Sequence, residues 1–329
     1  MKEILNRLFE YKSLDRSTAK EILSNLAQGK YNNSEMAAFL TVYLMRSITV
    51  EELAGFREAM LELCVPVNIG DYEAIDLCGT GGDGKDTFNI STLASFIVAG
   101  AGQKVAKHGN NSVSSVCGSS NVLAHFGYEF TNDPDILKRS LEESGICYLH
   151  APLFHPAMKN VAPVRRELGV KTFFNMLGPV VNPSFPKKQM TGVFSLELAR
   201  LYTYLFQQTD TDFMVVYALD GYDEVSLTGD FKILTRYDEQ IVSPEDLGLH
   251  TFEQSELSGG KTVDDAAKIF LSVLENQSTR AQKEVAIANA GMALYCADST
   301  LGLRGSVEKA RESLESGRAL KCFKTLINI

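Results

Sequence analysis

Basic residues are the minority among the charges of this chain. There are 32 Lys and Arg against 41 Asp and Glu, a net charge of −9 over 329 residues. That balance argues against non-specific nucleic-acid binding, which depends on basic surface, but leaves room for a local basic pocket. Cysteine is sparse: six residues, at 64, 78, 117, 147, 296 and 322, with no Cys-x-x-Cys pair. With no signal peptide in evidence, they read as reduced, mostly buried thiols of a cytoplasmic protein. No apolar run approaches the roughly 20 residues that span a membrane. Repeats, low-complexity tracts, a Ser-His-Asp arrangement and a nucleophilic cysteine motif are all missing. What is present is 45% apolar and 22% charged residues. This suits a globular protein with a sizeable core, in one large or two modest domains.

Residues 1 to about 65 carry helical periodicity only. Ile4, Leu5, Leu8 and Phe9 form one stripe, and Ala19, Ile22, Leu23 and Leu26 a second that ends near Gly29. Asn33 or Ser34 can cap a third helix, with Met36, Phe39, Leu40, Tyr43 and Leu44 on its buried side. Thr49 with Glu52 makes a capping box for a fourth, which stops before Pro66. From about residue 73, short apolar runs at 74–77, 104–106, 146–149, 190–194 and 213–218 alternate with helical patterns at 91–101, 119–126 and 133–144. The pattern predicts an α/β fold: a small helical N-terminal domain and a larger α/β domain with a largely parallel central sheet flanked by helices. Pro156, Pro163, Pro179, Pro183 and Pro186 break the next stretch into short pieces, with helix predicted at 156–167 and 172–177. Helical spacing returns at 263–275, 278–296 and 306–315, where Asn289, Ala290 and Gly291 read as a close-packing position with no function implied.

The chemistry concentrates between Asp76 and Gly118. Gly79, Gly81, Gly82 and Gly84 follow an apolar run, and Asn89, Ser91 and Thr92 precede an apolar helix. Glycines let backbone N–H groups converge on an anion, and a helix N-terminus adds favourable dipole, so strand, loop and helix together suit phosphate. The spacing matches neither a P-loop nor Gly-x-Gly-x-x-Gly. A second polar segment, Lys107 to Ser119, adds His108, Gly109, Asn110, Asn111, Ser112, Ser114 and Ser115. Together the two loops could surround one highly phosphorylated ligand.

Gly79-Thr80-Gly81-Gly82-Asp83, Asn89-Ile90-Ser91-Thr92, Lys107-His108-Gly109-Asn110 and Asp223-Glu224 resemble the signatures of the anthranilate phosphoribosyltransferases of tryptophan biosynthesis. The resemblance covers nearly the whole chain. It implies a nucleoside phosphorylase/phosphoribosyltransferase-like fold, with residues 1–68 and about 156–186 forming the helical domain, and 69–155 and 187–329 the α/β domain. It further implies hinges that close over substrate and a homodimer. The implied reaction is transfer of the phosphoribosyl group from phosphoribosyl diphosphate to the amino group of anthranilate, with Mg²⁺. It is a substitution at ribose C1 with late attack by the amine and no covalent nucleophile or general base.

The resemblance also implies roles. Gly79, Gly82, Asp83, Thr87, Asn89, Ile90, Ser91 and Thr92 fall in the phosphoribosyl diphosphate site. So do Lys107, His108, Gly109, Asn110, Asn111, Ser112, Val113, Ser114, Ser115 and Ser119. Of these, Lys107 is the expected neutraliser of phosphate charge, and His108 orders or lines the pocket. Asp223 and Glu224 would diverge on a strand and converge in a turn; the resemblance makes them magnesium ligands, with the Ser91 hydroxyl at a related site. For the acceptor carboxylate both Arg165 and Arg166 are candidates by their planar donor fork. The resemblance selects Arg165, with Asn110 and Gly79 as further anthranilate contacts. Two positions depart from the usual pattern. Asn111 stands where arginine is usual, which predicts weaker phosphoribosyl diphosphate binding or more reliance on magnesium. Ser120-Asn121 replaces Ala-Asp, a neutral change if Asn121 caps the helix. The rival readings are a pyrimidine nucleoside phosphorylase, a transferase with another acceptor, and a non-catalytic nucleic-acid-binding relative. Phosphorolysis would not need the Asp223–Glu224 metal pair, so magnesium dependence discriminates it; the −9 charge and the intact glycine loop speak against the nucleic-acid reading.

Overall fold

The computed structural model describes residues 1–70, 72–112 and 116–329. They form two compact units, one of residues 1–66 and 151–185, the other of 67–150 and 186–329.

The first unit is helical. It opens with α1 (Lys2–Phe9), α2 (Arg16–Ala27), α3 (Asn33–Met45) and α4 (Val50–Glu62). Reciprocal capping boxes start α3, from Asn32 and Glu35, and α4, from Thr49 and Glu52. Asn32, rather than Asn33 or Ser34, is therefore the cap of α3. Gly55 lets α4 lie against the backbone of α2, because a Cβ there would overlap Arg16 O.

In the second unit β1 (Ile75–Gly79), α5 (Ile90–Gly100), β2 (Val105–Gly109), α6 (Ser119–His125), α7 (Pro134–Ser144) and β3 (Ile146–His150) follow in order. The chain then returns to the first unit as α8 (Ala151–Phe154), a 3-10 turn (Pro156–Asn160), α9 (Ala162–Leu168) and α10 (Phe174–Leu177). There Phe173 stacks on Phe56 at 4.5 Å and meets Phe39 and Tyr43 edge-on, so the inserted segment completes the core of the N-terminal helices.

The second unit resumes with β4 (Lys188–Gly192), α11 (Leu196–Gln207), β5 (Asp212–Ala218), β6 (Phe231–Leu234) and β7 (Glu239–Val242). It closes with α12 (Val263–Leu274), α13 (Arg280–Ala297), α14 (Gly302–Glu315) and α15 (Arg318–Leu326). Among the described residues these strands make one seven-stranded sheet, ordered β3-β2-β1-β4-β5-β6-β7. β1 to β5 are parallel, and β6 and β7 add an antiparallel edge. Of these elements, α11, β6, β7 and α15 lie outside the stretches whose periodicity predicts a helix or strand. α13 is buried on nearly every side and packs on α5, α14 and the sheet, which explains its weak amphipathic pattern.

Candidate active site

β1 and β4 run side by side, in register from Ile75 with Lys188 to Gly79 with Gly192. The chain leaves β1 for β2 on one side while β4 pairs on the other, a reversal of strand order at whose carboxyl ends open α/β sheets bind ligands. Asp223 and Glu224 arrive there from the segment after β5. A Cβ on Gly79 would overlap Asp223 Oδ2, and one on Gly192 would overlap the Asp223 carbonyl. Two glycines on adjacent strands thus make room for the pair. Gly81 N–H donates to Asp223 Oδ2 (2.6 Å) and Ser91 N–H to Glu224 Oε1 (2.9 Å). The carboxylates converge because residues 219–230 are turn and bend rather than strand.

The N-terminus of α5, which the sequence suggests for phosphate, therefore already receives a protein carboxylate. Asn89 occupies the N-cap position but does not cap. Its Nδ2 donates to Cys117 O (3.0 Å), and its Oδ1 is buried without a hydrogen-bond partner, as is Thr80 Oγ1. Orphaned buried acceptors in a loop are a mark of a ligand site. Ile90 and Thr92 are buried in the first turn of α5. Gly81 and Gly82 adopt φ of +68° and +80°, which aims loop amides inward at low steric cost. Thr87 bridges to Ser258, and Gly259 N–H donates to Asp86 O (2.8 Å). These ties anchor the far side of the loop.

Burial, then the charge of Asp83 beside it, pushes the Asp223 carboxyl well above the usual carboxylate range. Burial and the Asp223 charge push Glu224 up as well. Lys107 lies nearby, in the middle of β2 rather than beyond its end. It is 2% exposed, donating to Leu77 O (2.6 Å) and reaching Ser91 Oγ at 3.4 Å. Burial lowers its pKa against the pull of Asp76. Its Nζ thus lies beneath the site, against Ser91. His108 is buried next to it, its N–H donating to Asp76 Oδ1 (3.2 Å).

Beyond Gly109 at the end of β2, Asn110 Oδ1 accepts from Asn111 N–H (2.8 Å), and Ser112 N–H donates to Asn121 Oδ1 (3.0 Å). Asn121 also accepts from Gly118 N–H (3.0 Å). It is the third residue of α6 and ties the loop to the helix start rather than capping from outside. Ser119 Oγ pairs with Tyr148 Oη at 2.7 Å. Val113, Ser114 and Ser115 lie outside the described residues.

In the first unit Arg165 is half-buried and Arg166 exposed. The Arg165 guanidinium lies 5.1 Å from the Phe174 ring centre, its Nη2 donates to Asn175 Oδ1 (3.3 Å), and its Nε is buried without a partner. Donor capacity in a desolvated fork suits a carboxylate ligand.

The donor chemistry fits a hard divalent cation. Two carboxylates and the Ser91 hydroxyl are oxygen ligands, and a cation would offset the burial that raises both carboxyl pKa values. Among the described residues no three His, Cys, Asp or Glu side chains are gathered as a ligand set. Magnesium typically takes one or two carboxylates and completes its shell with water and phosphate oxygens. Gly192 is not among the residues expected at the site, although a glycine within a strand pattern signals close backbone approach. Nor is the Lys85 ammonium, 4.5 Å over the ring of Tyr222, the residue before Asp223, a contact that no spacing rule would reveal.

Residues 71–320 match the profile of a glycosyl transferase family, a/b domain, and residues 2–64 that of a glycosyl transferase family, helical bundle domain. Anthranilate phosphoribosyltransferase of Cytophaga hutchinsonii is 57% identical over 99% of this chain and 100% of its own. That of Bacteroides thetaiotaomicron is 53% identical over 100% and 99%. The crystal structure of anthranilate phosphoribosyltransferase from Thermus thermophilus aligns with a TM-score of 0.92 at 32% identity, covering 98% of each chain. The Saccharomyces cerevisiae enzyme in complex with PRPP and Mg aligns at 0.91 and 25% identity, over 98% of this chain and 96% of that one. With both domain profiles matched and full-length identity above half, the chain belongs to the anthranilate phosphoribosyltransferase family.

Proposed function

We propose that this protein transfers the phosphoribosyl group of phosphoribosyl diphosphate to the amine of anthranilate, giving N-(5-phosphoribosyl)anthranilate and diphosphate in tryptophan biosynthesis. The observation that carries it is the meeting of the glycine loop, the start of α5 and the Asp223–Glu224 pair at the ends of β1 and β4. The bond from ribose C1 to diphosphate oxygen breaks, a C1–N bond forms, and the amine nitrogen loses one proton to solvent. The arylamine is neutral near pH 7, so no protein base is required for attack.

The loop amides and Asn89 orient the sugar and its phosphates, Lys107 supplies positive potential from below, and Arg165 and Asn110 hold the acceptor. Magnesium at Asp223, Glu224 and the Ser91 hydroxyl would stabilise the departing diphosphate as a Lewis acid. Two broader features of the protein belong to the same reading. It is a homodimer, supported by Phe9, Tyr11 and Met45 exposed at 58%, 75% and 75% on the α1–α3 side of the first unit. It works in the cytoplasm, supported by six free thiols; no helix of the described residues is long and apolar enough to cross a membrane.

Anthranilate fluorescence tests the reading. Emission should fall only when phosphoribosyl diphosphate and Mg²⁺ are both present. Emission that stays constant while the sugar donor still binds would remove anthranilate as the acceptor. Light scattering on a sizing column checks the dimer.

A further inference from the structure

The Asp223–Glu224 pair sits in a segment with neither helix nor strand, from 219 to 230. Its next residue, Val225, is fully buried. Val225 N–H donates to Asn289 Oδ1 (3.0 Å), and Asn289 Nδ2 donates back to Val225 O (2.8 Å). One side chain thus satisfies both backbone groups of Val225, as a neighbouring strand would. The second Nδ2 hydrogen goes to Val285 O (2.9 Å), one turn back in α13, which fixes the plane of the amide. Asn289 is 1% exposed, in the middle of a buried helix that packs on α5, the element carrying Ser91.

We propose that Asn289 is a positioning residue that aims the Asp223–Glu224 carboxylates, by holding the backbone of Val225 to the same rigid body that presents Ser91. Only an amide offers an acceptor and two donors in one plane. Leucine would leave the Val225 N–H and C=O buried and unpaired, and aspartate would lose both donors and add a further acid. This rests on the reading of the pair as the magnesium site.

The test uses the full-length protein as Asn289→Ala and Asn289→Ser, with Glu224→Gln and the double variant Asn289→Ala/Glu224→Gln. Amide hydrogen exchange over residues 222–227 reports the clamp directly. Mn²⁺ binding with phosphoribosyl diphosphate, read by electron paramagnetic resonance, reports the pair. Exchange should accelerate in both single variants at Asn289. Mn²⁺ affinity should fall about tenfold, as for other groups that orient metal ligands, while the anthranilate KM holds. In the Glu224→Gln background, where only Asp223 is left to be aimed, Asn289→Ala should cause a smaller further loss than it does in the wild type. Unchanged exchange and Mn²⁺ affinity alongside a lowered Tm would overturn the proposal, as would a full loss persisting in the double variant. If the wild type itself fails to bind Mn²⁺, the magnesium reading falls, and exchange over 222–227 alone decides the positioning.

Discussion

Gly192 and Gly79 show how a single hydrogen atom in place of a methyl shapes this site. A Cβ at Gly192 meets backbone, the Asp223 carbonyl, which has no rotamer by which to yield. Gly192→Ala should therefore displace Asp223 and Glu224 and cut kcat/KM by on the order of a hundredfold, with a stability cost of about 2 kcal/mol. Gly81→Ala is the contrast. Open space surrounds it and only its positive φ is strained, so about 1 kcal/mol of stability should be lost and activity reduced far less. Kinetics and thermal melts on the two variants check both. Asn111 is exposed on the second loop, with only its N–H engaged among the described residues. Asn111→Arg should lower the KM for phosphoribosyl diphosphate several-fold, and an unchanged KM would show that the missing charge is immaterial. The residue types of this site are legible in the sequence, but their postures are not. Lys107 reads as a phosphate-facing cation, yet it lies within the interior strand β2 and turns onto Leu77 O of the neighbouring β1.

Among the elements, the caps and turns obey local rules closely. Thr49 and Glu52 form the expected box, and Gly145 ends α7 in the left-handed conformation. α11 was equally open to reading, since Ser195 caps it and Leu198, Ala199, Tyr202, Leu205 and Phe206 recur at helical spacing. β7 was not, because Glu239 and Gln240 are exposed on an edge strand whose pairing comes wholly from β6. The turn after α8 carries a titration. Burial holds His155 down to about 4 from its ordinary 6.5. Above pH 6.5 folded and unfolded states are both neutral there; between 6.5 and about 4 only the unfolded chain gains the proton. Stability of the first unit should thus fall as pH drops through that window, by at most about 3 kcal/mol from this group. Urea melts of wild type and His155→Asn, compared at pH 7 and pH 4.5, should differ by less at the lower pH.

For the whole molecule, the helical unit depends on two separated stretches of chain. Phe173, from the later stretch, is 2% exposed against Phe56, Phe39 and Tyr43. Phe173→Ala should cost about 3–5 kcal/mol and loosen residues 1–66 and 151–185 first. Limited proteolysis should then cut within those ranges before the sheet unit, and simultaneous cleavage of both units would refute it.

The division between sequence and structure follows the range of the forces. Composition, alternating periodicity, glycine spacing and caps are local, so the α/β class, the helical N-terminal region, the phosphate-type loops and the family resemblance could all be read from the chain alone. Three features depend on residues more than a hundred positions apart meeting in space. Glu224 reaches the start of α5, the Gly79–Gly192 gap admits Asp223, and Phe173 fills the N-terminal core. Close packing of strands and helices in three dimensions, not neighbouring residues, sets those contacts, so the tertiary structure alone decided them.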